Sequence, residues 1–171
     1  MKIVLASSSP RRRELLSNIG ITDFEICPAQ GEEKAPAGLA PDELVKTLSR
    51  AKVEEVSAKY PDALVIAADT IVWAGGKALG KPHGEAEAFT MLRALSGNTH
   101  EVYTGVTLIL NRNTFSDTEC TRVKFRRLCD DEIRSYIATG EPMDKAGAYG
   151  IQGKASLMVE GIEGDYFNVM G

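Results

Sequence analysis

Cysteine is scarce in this sequence, and what there is does not pair. Cys27, Cys120 and Cys129 are odd in number and form no C-x-x-C, which excludes a disulfide framework and a zinc knuckle alike. Histidine is scarcer still. His83 and His100 are too few for a three-histidine zinc site, and neither H-E-x-x-H nor G-x-S-x-G occurs, so Ser-His-Asp chemistry has no foothold. No apolar run approaches membrane-spanning length, and "IVLA" after Met1-Lys2 is too short for a signal-peptide core; the expectation is a cytoplasmic protein with no membrane partner. An excess of positive charge is missing too. A formal net charge of −4 argues against a nucleic acid polymer as partner, so any positive charge that matters must act locally.

What is present suffices for a core: 171 residues, 43% of them apolar, suggest a single domain over 1–171 with room for two lobes. Residues 2–6 read as a short buried strand. A helix then runs from a Ser9 cap and Pro10 to Gly20, with Leu15, Leu16 and Ile19 as its apolar stripe. After a weak strand near Phe24 to Cys27 and a loop from Gln30 to Ala40, a second helix is expected from Pro41 to Lys59, with Leu44, Leu48, Lys52 and Val56 at helical spacing. "ALVIAAD", residues 63–69, reads as a buried strand ending in Asp69, and "TIVWAGGKALGKP" as a strand, a Gly-Gly turn and a return strand. A helix over 85–95, strands near 100–110 and 119–128, a helix capped by Asp130 and closed by Gly140, and a Gly-rich, then strand-like tail complete the chain. Helix-linked and hairpin-linked strands together favour an α/β domain with a mixed sheet.

The charged residues carry the functional signal. "LASSSPRRREL", residues 5–15, loads a helix start with arginines, although the peptide dipoles already make that end positive; three cations there make sense if an anion sits among them. Ser7, Arg11 and Arg12 are the candidates. Arg13 points about 100° further round the helix and is weaker. Asp69, at a strand end, is placed to hold a metal or a water, or else to cap the next turn. Glu32 and Glu33 supply a second carboxylate or form an exposed acidic pair. Lys52 and Lys81 are candidate phosphate neutralisers. "GGKALGKP" matches part of a P-loop, but Pro82 occupies the position of the magnesium-binding Ser or Thr, and a hairpin explains the glycines better. Hard oxygen ligands such as Asp69 and Glu33 suit Mg²⁺ or Mn²⁺.

These segments together resemble one family. "LASSSPRR" at 5–12, "GEEK" at 31–34, the Lys52 helix, "AADTIV" at 67–72, "GKP" at 80–82, "LSGNTHEVYTGV" at 95–106, "GEPMDKAGAYGIQG" at 140–153 and "GDYFNVMG" at 164–171 resemble the Maf nucleotide pyrophosphatases in order and over nearly the whole chain. The resemblance implies hydrolysis of a nucleoside triphosphate to the monophosphate and pyrophosphate with a divalent metal (Mg or Mn), at a site comprising Ser7, Arg11, Arg12, Glu33, Lys52, Asp69, Lys81 and Gln152. In this reading Asp69 and Glu33 hold the metal, Asp69, Glu33, Lys52 and Lys81 serve catalysis, and Ser7, Arg11, Arg12 and Gln152 bind substrate. It implies the mixed sheet of the inosine triphosphate pyrophosphatases, two lobes around a cleft, and is compatible with a homodimer. "AADTIV" and "DKAGAYGIQG" look like the branch acting on dTTP, UTP and modified pyrimidine nucleotides. Family members continue past "GDYxNVxG" into a last helix, whereas this sequence ends at Gly171. The alternative expectation is a nucleotide-binding regulator of septum formation that does not need hydrolysis.

Overall fold

The computed structural model describes residues 1–31 and 35–171. Among the described residues seven strands form a mixed sheet in the order β2-β1-β3-β5-β6-β7, with β4 paired to β3 beside this path. By its internal contacts the chain divides into two units: Met1–Asp69 with Thr104–Glu119 and Gly171, and Thr70–Tyr103 with Cys120–Met170.

The first unit is built around β1 (Ile3–Leu5), which pairs in parallel with β2 (Glu25–Ile26) on one side and with β3 (Leu64–Ala74) on the other; Leu5 lies opposite both Ile26 and Ile66. Parallel neighbours require helical crossovers. Helix α1 (Pro10–Asn18) returns the chain to β2, and α2 (Pro41–Ser57) carries it past β1 to β3. The order of connection therefore reverses at β1, and the carboxyl end of a strand at such a switch point is where α/β folds bind ligands. Val4, Ala6, Val53, Val56, Val65 and Ala67 pack together beneath it.

Three sequence expectations change here. The strand expected to end at Asp69 runs on without a break to Ala74, so Asp69 lies within β3, three residues past the β1 partner Ile66. The second long hairpin strand begins earlier than expected: β5 (Thr99–Leu110) turns through Asn111 and Arg112, both at positive φ, into β6 (Asn113–Phe125). Polar residues 113–119 hid that strand because its first residues are exposed. In α1, Ile19 is exposed rather than part of a buried stripe.

In the second unit the remainder of β3 forms the expected hairpin, through Gly75 and Gly76 at φ 58° and 75°, with β4 (Lys77–Leu79). Glycine takes positive φ without strain, so the Gly-Gly pair serves this hairpin turn and the segment is not a P-loop. Helices α3 (Glu85–Leu95) and α4 (Asp130–Ile137) cover a core of Val72, Leu92, Val102, Phe125, Ile133 and Tyr149. The cap of α4 is Cys129, one residue before the expected Asp130; its N–H donates to Glu132 at 2.9 Å. Short 3-10 turns between 141 and 158 lead to β7 (Val159–Glu163), and the tail ends in a helical turn, α5 (Tyr166–Met170).

Strand β5 lies against the backbone of α2 through Gly105, where a Cβ would approach the Val45 carbonyl carbon to 2.6 Å and the Lys46 nitrogen to 2.9 Å. Backbone cannot rotate away, so Gly105→Ala must push α2 outward. It should destabilise the protein by about 2–3 kcal/mol, at the upper end of overpacking effects, as read by denaturant unfolding. Gly84→Ala, with open space around its Cβ, is the matched control.

Candidate functional site

The chain leaves β1 at Ala6, whose N–H donates to the Ile66 carbonyl at 2.8 Å, and enters the serine stretch. Ser9 holds the cap position of α1 without making a side-chain capping bond; its own N–H donates to the Ser7 hydroxyl at 3.2 Å. Arg12 donates to the same Ser7 oxygen at 3.3 Å, and Ser7 is buried. Arg11 and Arg12 are half-buried, while Arg13 is exposed and donates to the Ser8 carbonyl at 3.2 Å. The helix opens with no acidic residue in its first turn. A positive helix end, two guanidinium-bearing residues and a hydroxyl thus share one place, an arrangement that accepts phosphate oxygens.

Asp69 and Lys52 are brought together: the Lys52 ammonium on α2 donates to Asp69 Oδ1 on β3, with the two side chains only 17% and 9% exposed. Lys52 was expected among phosphate neutralisers; here it neutralises a carboxylate. A charge held that far from water requires a partner, and the lysine supplies it. Glu32 and Glu33 lie outside the described residues. Among the described residues no group of three or more His, Cys, Asp and Glu gathers. Asp69 alone still fits a hard divalent ion, since Mg²⁺ takes one or two protein carboxylates and fills its remaining positions with water and phosphate oxygens.

In the second unit Lys81 follows β4 and is exposed, as is Gln152. The two segments that carry them are stitched to each other: the Gly147 N–H donates to the Gly80 carbonyl at 3.0 Å. Gly147, at φ +67°, also sits where a Cβ would come within 2.7 Å of Val72 Cγ2. Two residues on, the Tyr149 hydroxyl and His100 Nε2 share a 2.7 Å hydrogen bond, with Phe125 edge-on to both rings. Tyr136 lies on α4 and Glu141 just beyond it, in a segment to which the sequence motifs give no individual role. The structure joins them, Tyr136 donating to Glu141 Oε1 at 3.0 Å. The signal available was an acid between the helix-ending Gly140 and Pro142, at the mouth of a glycine-rich tract.

The family model described as "Maf-like protein" matches residues 2–171. A protein of Carboxydothermus hydrogenoformans named dTTP/UTP pyrophosphatase is 56% identical over 173 residues, covering 100% of this chain and 92% of its own. One of the same name from Moorella thermoacetica is 52% identical over 172 residues, with 99% and 88% covered. In fold, the chain is similar to a HAM1 protein from Coxiella burnetii, with a TM-score of 0.57 at 15% identity over 75% of this chain and 74% of that one. No helix among the described residues is long and apolar enough to cross a membrane.

Burial holds His100 neutral in the fold, pushing its pKa down from 6.5 to about 4. The unfolded chain takes up that proton near pH 6.5, so stability is full above this value and falls as the pH drops towards 4. The loss from this one group should reach roughly 3 kcal/mol by pH 4. Unfolding midpoints measured between pH 7 and 4 should fall less steeply in His100→Gln, which keeps a partner for Tyr149 and does not titrate.

Proposed function

The chain belongs to the Maf-like protein family, and from that premise we propose that it is a nucleoside triphosphate pyrophosphatase, hydrolysing dTTP, UTP and modified pyrimidine nucleotides to the monophosphate and pyrophosphate. The observation that carries the reading is the buried Lys52–Asp69 pair on α2 and β3, three residues along β3 from where β1 hands the chain to the arginine-bearing start of α1. A sensor of nucleotides would need the cations alone. The buried carboxylate among them suits catalysis.

Water must form a bond to the α-phosphorus while the bond from that phosphorus to the bridging oxygen breaks, and pyrophosphate leaves with the bonding electrons. Arg11 and Arg12 take phosphate oxygens, with the Ser7 hydroxyl and the positive end of α1 assisting. Lys81 adds a further cation. The incoming phosphates compete with Asp69 for the Lys52 ammonium, so Lys52 passes from neutralising a carboxylate to neutralising the polyphosphate. Asp69 is thereby released to orient the attacking water and accept its proton. Asp69 and Glu33 are the residues that would hold Mg²⁺ or Mn²⁺, which when bound neutralises charge developing on the polyphosphate. Gln152 presents a planar amide, able to donate and accept in one plane, and is assigned to the pyrimidine edge. The setting that fits is cytoplasmic, in clearing non-standard nucleotides from the free pool, as a monomer or homodimer.

Incubation with dTTP, UTP, CTP, ATP, GTP and 7-methyl-GTP in the presence of Mg²⁺ or Mn²⁺ should give monophosphate and pyrophosphate, fastest from dTTP and UTP. Hydrolysis in ¹⁸O-water should leave the label in the monophosphate. Asp69→Asn should lower kcat by about 10²–10⁴ with the circular dichroism spectrum unchanged. Diphosphate and phosphate as products, or near-normal turnover by Asp69→Asn, would overturn the assignment.

A further inference from the structure

The tract that presents Gln152 has little regular structure of its own. It passes through 3-10 turns at Glu141–Asp144, Ala146–Ala148 and Lys154–Met158. Its first part is anchored by Gly147 to Gly80 and by Tyr149 to His100. Beyond Tyr149 the anchoring passes to two side chains. The Gly150 N–H approaches the Tyr136 hydroxyl at 3.4 Å, that hydroxyl donates to Glu141 Oε1 at 3.0 Å, and the Lys154 N–H donates to Glu141 Oε2 at 3.1 Å. Gly153 fits over the same carboxylate so closely that a Cβ there would overlap its oxygens. Ile151 is buried, and Gln152 is exposed between these ties. Both ends of the stretch 150–154 therefore hang from one Tyr–Glu pair, with Gln152 at its centre.

We infer that Glu141, acting with Tyr136, is a positioning residue that fixes the backbone of Gln152 so that its amide meets the nucleotide base in one orientation. The inference rests on the reading of Gln152 as the residue that contacts the base. An amide on an exposed side chain discriminates between bases only if its Cα is held, because recognition by a donor and an acceptor in one plane is lost with small displacements. A carboxylate suits this task, since it accepts two bonds at once and charge-assisted bonds to backbone N–H are the stronger kind. Burial, with the Glu141 charge second, pushes the Tyr136 pKa up, so its hydroxyl remains a donor at working pH. The residues before 150 have their own anchors, so loss of Glu141 loosens the Gln152 stretch in particular.

The test compares Glu141→Ala, Glu141→Gln, Tyr136→Phe and Gln152→Ala, alone and with Glu141→Ala combined with Gln152→Ala. With dTTP, Glu141→Ala and Gln152→Ala should each raise KM about tenfold and narrow the preference for dTTP over dATP, with kcat within a factor of about two or three. The double variant should be no worse than either single one, since both remove the same contact. Glu141→Gln, which keeps an acceptor, should recover part of the loss. Tyr136→Phe, which keeps the buried ring, guards against a folding failure and should reproduce the KM effect in milder form. Amide exchange at Gly150 to Lys154 should be faster in Glu141→Ala and unchanged in Gln152→Ala. If Gln152→Ala changes KM and preference while Glu141→Ala and Tyr136→Phe leave both unaltered, the positioning role is overturned and the base contact stands. An unaltered KM and preference in Gln152→Ala overturns the base contact and the inference with it. Additive losses in the double variant also overturn it.

Discussion

Everything in the first unit depends on a strand of three residues having parallel neighbours on both sides. Ile3, Val4 and Leu5 are apolar throughout, as a strand without a solvated edge must be. Neither neighbour can be reached by a tight turn, so each demands a helix, and each helix brings a functional group with it. Helix α1 begins where β1 ends and sets Ser7, Arg11 and Arg12 there. Helix α2 carries Lys52 to the side of β3 on which it meets Asp69. The distance of α2 from the sheet is set in turn by Gly105, which lets two backbones meet where any side chain would part them.

The electrostatics of the site run against the local rules for helices and cores. A helix start favours acids, and α1 has arginines; a core favours apolar groups, and β3 has an aspartate. The first sets cations at a helix end that is already positive, and the second sets a carboxylate in the core beside a lysine. Both departures are in keeping with the polyanionic substrate proposed above.

The second unit solves a different problem, that of holding irregular chain still. From 141 to 158 the backbone turns too often to hold itself by repeating hydrogen bonds, and side chains replace the ladder: Glu141 and Tyr136 over one stretch, His100 and Tyr149 over another. Buried polar pairs of this kind are costly to leave incomplete, which is why they specify one arrangement. Gly153 allows the close approach to Glu141, and Gly147 lets the chain pass tightly against Val72.

How much could be read in advance follows from which features are local. The helices, the Gly-Gly hairpin and the mixed character of the sheet were legible because periodicity, caps and turn residues act over a few positions. The basic start of α1 was legible because it breaks a local rule. The full length of β6 was not, since its exposed first half offers no hydrophobic alternation, and Asp69 was misread as a strand end because an acid in a buried run looks like a stop. Its pairing with Lys52 spans 17 residues and two elements, and the tie of Glu141 to Tyr136 and Lys154 depends on how a glycine-rich chain folds back on a helix. The sequence by itself determined the kinds of elements, the family and the charged residues worth watching. Only the tertiary structure decided which charges meet, because the partners of a side chain on a strand or a turn are chosen by sheet register and close packing, and neither is written in the spacing of residues along the chain.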